Sequence, residues 1–264
     1  MPIKVLVTGT GKMGRQVLAA VSTEPDMEPV GVVSRHADEE YLSLPDGSGL
    51  IPFGADAASL LARTRPDVVV DFTNAEYTPG VSREALEAGA RLVIGTSGLS
   101  EAFVHELEGE CRERKLGAIV AANFALGAVV MAHLAGIAAR FFGSAELIEM
   151  HNEGKADAPS GTAIATARKM AGARDDPFHR PTSGSETVEG TRGGAVDGVT
   201  IHSVRLPGLV AHQEVIFGGP GETLTIRHDS TSRESFMPGV LLAIREVMKR
   251  EELVLGLEPL LGIE

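Results

Sequence analysis

The stretch from Ile3 to Val33 restricts the fold more than any other. Ile3 to Thr8 (IKVLVT) is a short apolar run that reads as a buried strand. Gly9-Thr10-Gly11-Lys12-Met13-Gly14 follows, a G-x-G-x-x-G that opens a helical pattern from Arg15 to Ser22. A second apolar run, Pro29 to Val33, comes next. In this βαβ setting the glycines permit a tight turn, close approach of a pyrophosphate, and close packing of helix on strand. The loop is not a P-loop, because Gly11-Lys12 is followed by Met13 rather than Ser or Thr. A glycine pattern alone is weak; placed between strand and helix, this one predicts a dinucleotide site.

The alternation continues. Gly47 to Phe53 reads as a loop, Ala57 to Ala62 as a helix, and Asp67 to Asp71 as a buried strand running into Phe72 and Thr73. Pro79 to Gly89 predicts a helix, Arg91 to Ile94 a strand, and Gly95-Thr96-Ser97-Gly98 its C-terminal loop. A helix begins at Ser100-Glu101 and ends near Gly117, and Ala118 to Ala121 forms a further strand before Ala122-Asn123-Phe124. Alternating strands and helices make an α/β fold with a Rossmann-type, doubly wound parallel sheet. Ligands of such sheets sit beyond the carboxyl ends of the strands. One crevice should therefore be lined by Gly9, Thr10, Gly11, Lys12, Met13 and Gly14, by Ser34 and Arg35, and by Phe72 and Thr73. Gly95, Thr96 and Ser97 and then Ala121, Ala122, Asn123 and Phe124 complete the expected cofactor site.

The end of the second strand bears on cofactor choice. An acidic residue there, about 20 residues after the glycines, binds the ribose 2′-hydroxyl of NAD. Here the residues are Ser34-Arg35-His36, which would accept a 2′-phosphate and so favour NADPH over NADH. The alternative is that Arg35 is an ordinary solvated residue and Asp38 or Glu39 binds the ribose from a shifted loop.

Past a small-residue-rich helix from Ala125 to Phe142, the pattern changes. Leu147-Ile148 belongs to a strand, and Val199 to Leu206, Leu209 to Phe217 and Thr223 to His228 alternate with period two. Residues 145–228 thus predict an α+β unit with a mixed sheet. Arg174 to Gly198, rich in Gly, Ser, Thr and charge, is long for a plain connection. Ser235 to Arg250 reads as a helix and Leu253 to Leu261 as an apolar tail. A late helix returning to the first domain predicts a discontinuous arrangement, with 1–125 and 235–264 binding dinucleotide and 126–234 forming the second domain.

Between strand and helix in that second domain lies Glu149-Met-His151-Asn152-Glu153-Gly-Lys155-Ala-Asp157-Ala-Pro159-Ser160-Gly161-Thr162-Ala163. It holds a proton-transfer candidate (His151), a fixed cation (Lys155) and a helix start at Ser160 whose free N–H groups can hold an anion. These suit a small anionic substrate that must receive a proton. A capped surface helix with an incidental His and Lys is the plainer alternative.

Composition narrows the partners. The chain has 264 residues and a net charge of −12, which argues against nucleic acid or an anionic membrane surface. An anionic ligand must be met by local cations. Cys111 is the single cysteine, so no internal disulfide forms and a reducing compartment fits. The start lacks a signal peptide's features, and no apolar run approaches the ~18 residues of a membrane span, so a cytoplasmic protein is expected. His202, His212 and His228 lack the paired spacing of a zinc site, so no metal is expected.

Taken together, these landmarks resemble the 4-hydroxy-tetrahydrodipicolinate reductases (dihydrodipicolinate reductases) of diaminopimelate and lysine biosynthesis. The resemblance is carried by Glu149–Ala163, by Asp71-Phe-Thr, Gly95-Thr-Ser-Gly, Ala122-Asn-Phe and Arg192-Gly-Gly, and by the run from Val196 to Ser230. It implies NAD(P)H-dependent reduction of a cyclic imine-type dicarboxylate. His151 would be the acid/base residue and Lys155 the assisting proton donor. Gly161 and Thr162 would hold a substrate carboxylate beside Ser160, Asn152 and Lys155. The second domain would serve substrate binding and oligomerisation, with domain closure and a homotetramer built through its sheets. The chain departs from the family at Asn152, where a second histidine is usual, at Glu153, and in a glycine loop one residue shorter. Asn152 can hydrogen-bond a carboxylate but cannot become a cation. A related reductase of another cyclic imine acid, and a cofactor-binding homologue without turnover, are the alternatives.

Overall fold

The structure is a computed structural model that describes residues 1–181 and 185–263. The chain divides into two compact units, Met1–Phe124 with Phe236–Gly262, and Ala125–Ser235.

The first unit is built on an eight-stranded sheet. Its strands are β1 (Ile3–Thr8), β2 (Met27–Val33), β3 (Tyr41–Ser43), β4 (Leu50–Gly54), β5 (Val68–Asp71), β6 (Arg91–Ile94), β7 (Ala118–Val120) and β13 (Leu253–Leu255). They lie in the order β13-β7-β6-β5-β1-β2-β4-β3, all neighbours parallel except β3 against β4. Helices α1 (Lys12–Thr23), α2 (Ala57–Thr64), α3 (Thr78–Glu87), α4 (Glu101–Arg114), α7 (Met237–Val247) and α8 (Glu258–Leu261) accompany them. Central parallel strands are covered on both faces and so read as unbroken apolar runs. Val5, Leu6, Val68, Val69, Val70, Leu92 and Ile94 are all fully buried. Each such side chain contributes roughly 1.5–3 kcal/mol relative to exposure. Cys111 lies in the same core, and burial, with Glu110 nearby, pushes its thiol up to about 11.

The strand order reverses direction at β1, whose neighbours are β2 on one side and β5 on the other. This is where ligands of doubly wound sheets bind. The β1–β2 register skips Val30 after Pro29, whose nitrogen has no hydrogen to give the ladder. Gly47 to Phe53, expected as loop, instead carries β4, which pairs with β2 through Val32↔Phe53 and with β3 through Leu42↔Ile51. The apolar tail is likewise ordered, with β13 added in parallel to the β7 edge.

The second unit contains α5 (Leu126–Ala139), β8 (Ser144–His151), α6 (Gly161–Gly172), β9 (Gly194–Val196), β10 (Val199–Arg205), β11 (Ala211–Gly219) and β12 (Glu222–Ser230). Its five-stranded sheet runs β12-β11-β8-β10-β9, with β8 parallel to β10 and antiparallel to β11. The long Arg174–Gly198 segment therefore supplies β9; the part at 182–184 lies outside the described residues.

Period-two alternation and this register fix what each face of the sheet carries. On the inner face Ala145 and Leu147 lie beside Ile201, Val215 and Phe217, and these pack on Ala135, Ala138 and Ala139 of α5 and Ala163, Ala167 and Met170 of α6. Further along the same face the residues become polar: Glu149 and His151 of β8, Ser203 and Arg205 of β10, and Gln213 of β11.

Candidate active site

In the first unit, the β1–α1 loop, the end of β2 and the end of β5 enclose a crevice of about 430 Å³. It is lined by Thr8 to Gly14, Val33 to His36, Phe72 to Asn74 and Tyr77. A β-carbon on Gly14 would sit 2.0 Å from the Gly9 carbonyl oxygen, so only glycine lets α1 start over the loop. Gly11 occupies the helix N-cap without a side-chain bond, leaving first-turn N–H groups of α1 free for a phosphate. The hydroxyls of Thr10 and Ser34 are 3.2 Å apart. The Arg35 guanidinium stands over the Tyr77 ring, 5.7 Å from its centroid. These features fit a dinucleotide.

The remaining residues of the expected cofactor site contribute differently. Gly95 and Ser97 follow β6, and a β-carbon on Gly95 would strike the Phe72 ring at 2.0 Å. Phe72 in turn packs on Phe124, with ring centroids 5.1 Å apart. Thr96, Ala121 and Phe124 are buried, whereas Ala122 is exposed and Asn123 half-buried. None of Gly95 to Ser97 or Ala121 to Phe124 lines the crevice itself.

Asp71 anchors this region. Its carboxylate is fully buried and accepts from the hydroxyls of Thr8, Thr78, Thr73 (2.7 Å) and Thr96 (3.2 Å), and from the Thr73 N–H (3.2 Å). The donors come from β1, the β5–α3 loop, α3 and the loop after β6, so one acceptor ties the crevice walls together.

In the second unit, β8 ends at His151, which is 16% exposed, and Glu149, two residues earlier on the same face, is fully buried. The His151 Nδ1 is hydrogen-bonded to the Glu149 carboxylate. Burial pushes the Glu149 carboxyl up, but hydrogen bonds from Arg205, Ser203 and His151 outweigh it and hold it below the ordinary range. Glu149 is thus an acceptor, Nδ1 carries the proton that bonds it, and Nε2 is left for exchange with a ligand. Burial lowers the proton affinity of His151; Glu149 opposes this, Lys155 and Arg205 add to it, and the net shift is downward.

The loop after β8 is held by its own polar groups. The Asn152 carboxamide oxygen accepts from the Gly154 N–H at 3.0 Å, and the Asn152 carbonyl accepts from the Lys155 N–H at 3.0 Å. The Lys155 ammonium pairs with Asp157 at 2.7 Å, and the hydrogen bond from Lys155 is the main cause of the lowered Asp157 pKa. The Ser160 hydroxyl is buried and accepts from the Ala163 N–H at 3.2 Å, so it caps α6. Gly161 and Thr162 form the first turn of that helix, with a β-carbon on Gly161 meeting nothing within 4 Å.

The structure thus brings His151, Asn152, Lys155, Ser160, Gly161 and Thr162 onto one connected segment. It adds Glu149, Arg205 and Asp71, to which sequence reasoning gave no role. Glu149 had a usable signal, standing at period two before His151. Arg205 had none, since it is joined to Glu149 only through the β8–β10 register. Arg227 pairs with Asp229 and Glu214 and is committed within the sheet.

Comparison with known proteins agrees across the whole chain. Two family models match: "Dihydrodipicolinate reductase, N-terminus" over residues 3–124 and "Dihydrodipicolinate reductase, C-terminus" over residues 127–261. The 4-hydroxy-tetrahydrodipicolinate reductase of Dehalococcoides mccartyi is 50% identical over 263 residues, covering 99% of each chain. That of Moorella thermoacetica is 48% identical, covering 98% of each. Among solved structures, the dipicolinate-bound dihydrodipicolinate reductase of Paenisporosarcina sp. TG-14 matches with a TM-score of 0.87 and 42% identity, over 98% of this chain and 99% of that one. An amine dehydrogenase of Mycobacterium smegmatis shares the fold alone, with a TM-score of 0.65 and 16% identity over 96% of this chain and 95% of that one. Matched in both units by the paired models and along its full length by these relatives, the chain belongs to the dihydrodipicolinate reductase family.

Proposed function

We infer that His151, Lys155 and the start of α6 act on a ring dicarboxylate, with the dinucleotide held in the crevice beside β1. The chain is an NAD(P)H-dependent oxidoreductase that reduces 4-hydroxy-tetrahydrodipicolinate to tetrahydrodipicolinate in the diaminopimelate route to lysine. The observation that carries the residue-level reading is the Glu149–His151 bond on the segment that leads into α6. A dipicolinate-bound relative of 42% identity supports the substrate class.

Loss of the 4-hydroxyl as water leaves a conjugated ring, and a dinucleotide bound in the crevice would supply hydride to one of its carbons. The protein's share is the proton and the placement. His151, with Nδ1 bonded to Glu149, presents Nε2 and delivers a proton to the neighbouring ring carbon. A dianion near the ring favours the imidazolium, offsetting the effect of burial. Lys155 supplies positive charge, and the N–H groups of Gly161 and Thr162 hold one carboxylate. Among the described residues only the oxygen of the Asn152 carboxamide is used in the loop, so its N–H donors are available to the substrate. Ser160 serves by fixing the helix end.

The NADPH preference is supported by the crevice lining, which includes Ser34, Arg35 and Lys12 and, among the described residues, no carboxylate. Rates of NADPH and NADH oxidation, with substrate generated from pyruvate and aspartate semialdehyde, test both levels. NADPH is expected to give the higher kcat/KM, and Arg35→Ala to reduce that advantage by on the order of tenfold, the loss of one charged contact. A clear NADH preference in the parent refutes the Arg35 assignment, and no oxidation of either cofactor refutes the substrate.

The second sheet supports a reading of assembly. Its outer face, opposite α5 and α6, carries half-buried Ile148, Met150 and Ile216 among the ion pairs of Glu146 with Arg192 and Arg227 with Glu214. Apolar side chains ringed by charge suit a protein interface. A homotetramer built through this face is the expected state, and light scattering on the purified chain should return four times its mass of 27.7 kDa; a monomer would refute it. Among the described residues no helix is long and apolar enough to cross a membrane. The reading places the enzyme in the cytoplasm, with the NAD(P)H it consumes.

A further inference from the structure

Arg205, the last residue of β10, touches both arms of the proton-transfer site. Its guanidinium grips the buried Glu149 carboxylate through both terminal nitrogens, at 3.0 and 2.8 Å. The nitrogen at 2.8 Å also donates to the Asp157 carbonyl oxygen at 2.6 Å, and the other to the carbonyl of Val204 at 2.8 Å. Glu149 is the group that holds His151, and the Asp157 carboxylate is the group that holds Lys155. A planar fork with fixed donor directions can make these contacts together; a single ammonium cannot.

We propose that Arg205 is a positioning residue that sets how firmly His151 holds its proton and, through Asp157, where Lys155 stands. The proposal rests on the assignment of His151 and Lys155 made above. Its physical basis is the sharing of one carboxylate. Glu149 lies between a guanidinium and an imidazole, so the charge that would stabilise an imidazolium is already partly neutralised. Arg205 thus keeps His151 ready to release a proton rather than locked in an ion pair. The groups facing the ring are Glu149 from β8, Arg205 from β10, and Lys155 and Asp157 from the following loop. From β11, Ala211 and Gln213 bring no charge to this face, and His212 lies opposite Met150 on the other.

The test is an NMR titration of the His151 ring in the full, ligand-free chain, its signals identified by their loss in His151→Gln, combined with steady-state kinetics. Arg205→Met should raise the His151 midpoint by about one pH unit, and Glu149→Gln should lower it by a similar amount. Arg205→Lys keeps the charge and should leave the midpoint in place. It loses the Asp157 contact, and should raise the KM for the dicarboxylate roughly tenfold with a smaller effect on kcat. A midpoint unmoved in Arg205→Met, or moving in the same direction as in Glu149→Gln, overturns the proposal. Should Arg205→Met fail to fold, the other variants decide: an unmoved midpoint in Glu149→Gln or an unchanged KM in Arg205→Lys overturns it. Full turnover in His151→Gln would instead overturn the catalytic assignment, while the opposed titration shifts would still stand.

Discussion

Replacing His151 with alanine is expected to lower kcat by roughly 10²–10⁴-fold, the usual worth of a general acid. Dinucleotide affinity should not change, because every residue lining the crevice belongs to the other unit. The pH dependence adds a sign. Proton donation needs the imidazolium, and in the free protein burial lowers the His151 pKa. The profile of kcat/KM, which reports the free enzyme, should therefore fall as pH rises through a midpoint below about 6.5. The corresponding limb of kcat should lie higher, because the bound dicarboxylate favours the charged ring. Initial rates across pH in parent and variant measure both. Near-normal turnover in the alanine variant would remove His151 from the chemistry. A kcat limb at or below that of kcat/KM would remove the coupling between substrate charge and proton.

Asp71→Ala should destabilise the first unit by on the order of 3 kcal/mol. The carboxylate is fully buried and serves Thr8, Thr73, Thr78 and Thr96 at once. Without it, the Thr73 and Thr96 hydroxyls lose their shared acceptor. Thr8 and Thr78 keep weaker alternatives in the carbonyls of Val70 and Asn74. The melting temperature should fall by roughly 6–12 °C, as followed by circular dichroism. Cofactor affinity should fall too, since Thr73 lines the crevice. Asp71→Asn keeps one acceptor and, with rotating hydroxyls opposite it, should be milder. An alanine variant as stable as the parent would show that the threonines do not depend on this acceptor.

What could be read from the sequence was mostly what is decided locally. The core strands around Val5–Val7 and Val68–Val70 announce themselves as apolar runs because both sheet faces are covered. The Gly9–Gly14 loop does so because its steric demand falls within a few residues. The miss at β4 has an equally local cause: Pro52 sits inside the strand and Gly47, Gly49 and Gly54 surround it, so turn signals mask the buried pair Ile51 and Phe53. The polar frameworks were out of reach for another reason. Glu149 and Arg205 are 56 residues apart and meet only through strand register. Asp71 looked like the polar end of a strand, and its role emerges only when β1, α3 and the loop after β6 converge on it. Asn152, read as a departure from the family's histidine, also turns out to close the loop on Gly154.

Because one face of β8 serves as hydrophobic core at Leu147 and carries the bonded polar pair Glu149 and His151 further along, the strand should tolerate changes of residue better than changes of length. A substitution at Leu147 alters packing and leaves the phase of the strand intact. Deleting a single residue between Ala145 and Ile148 would turn every later side chain to the opposite face, sending Glu149 and His151 outward and Ile148 and Met150 inward. Natural variation in this segment should therefore be confined to replacements, with insertions and deletions displaced to the connections on either side.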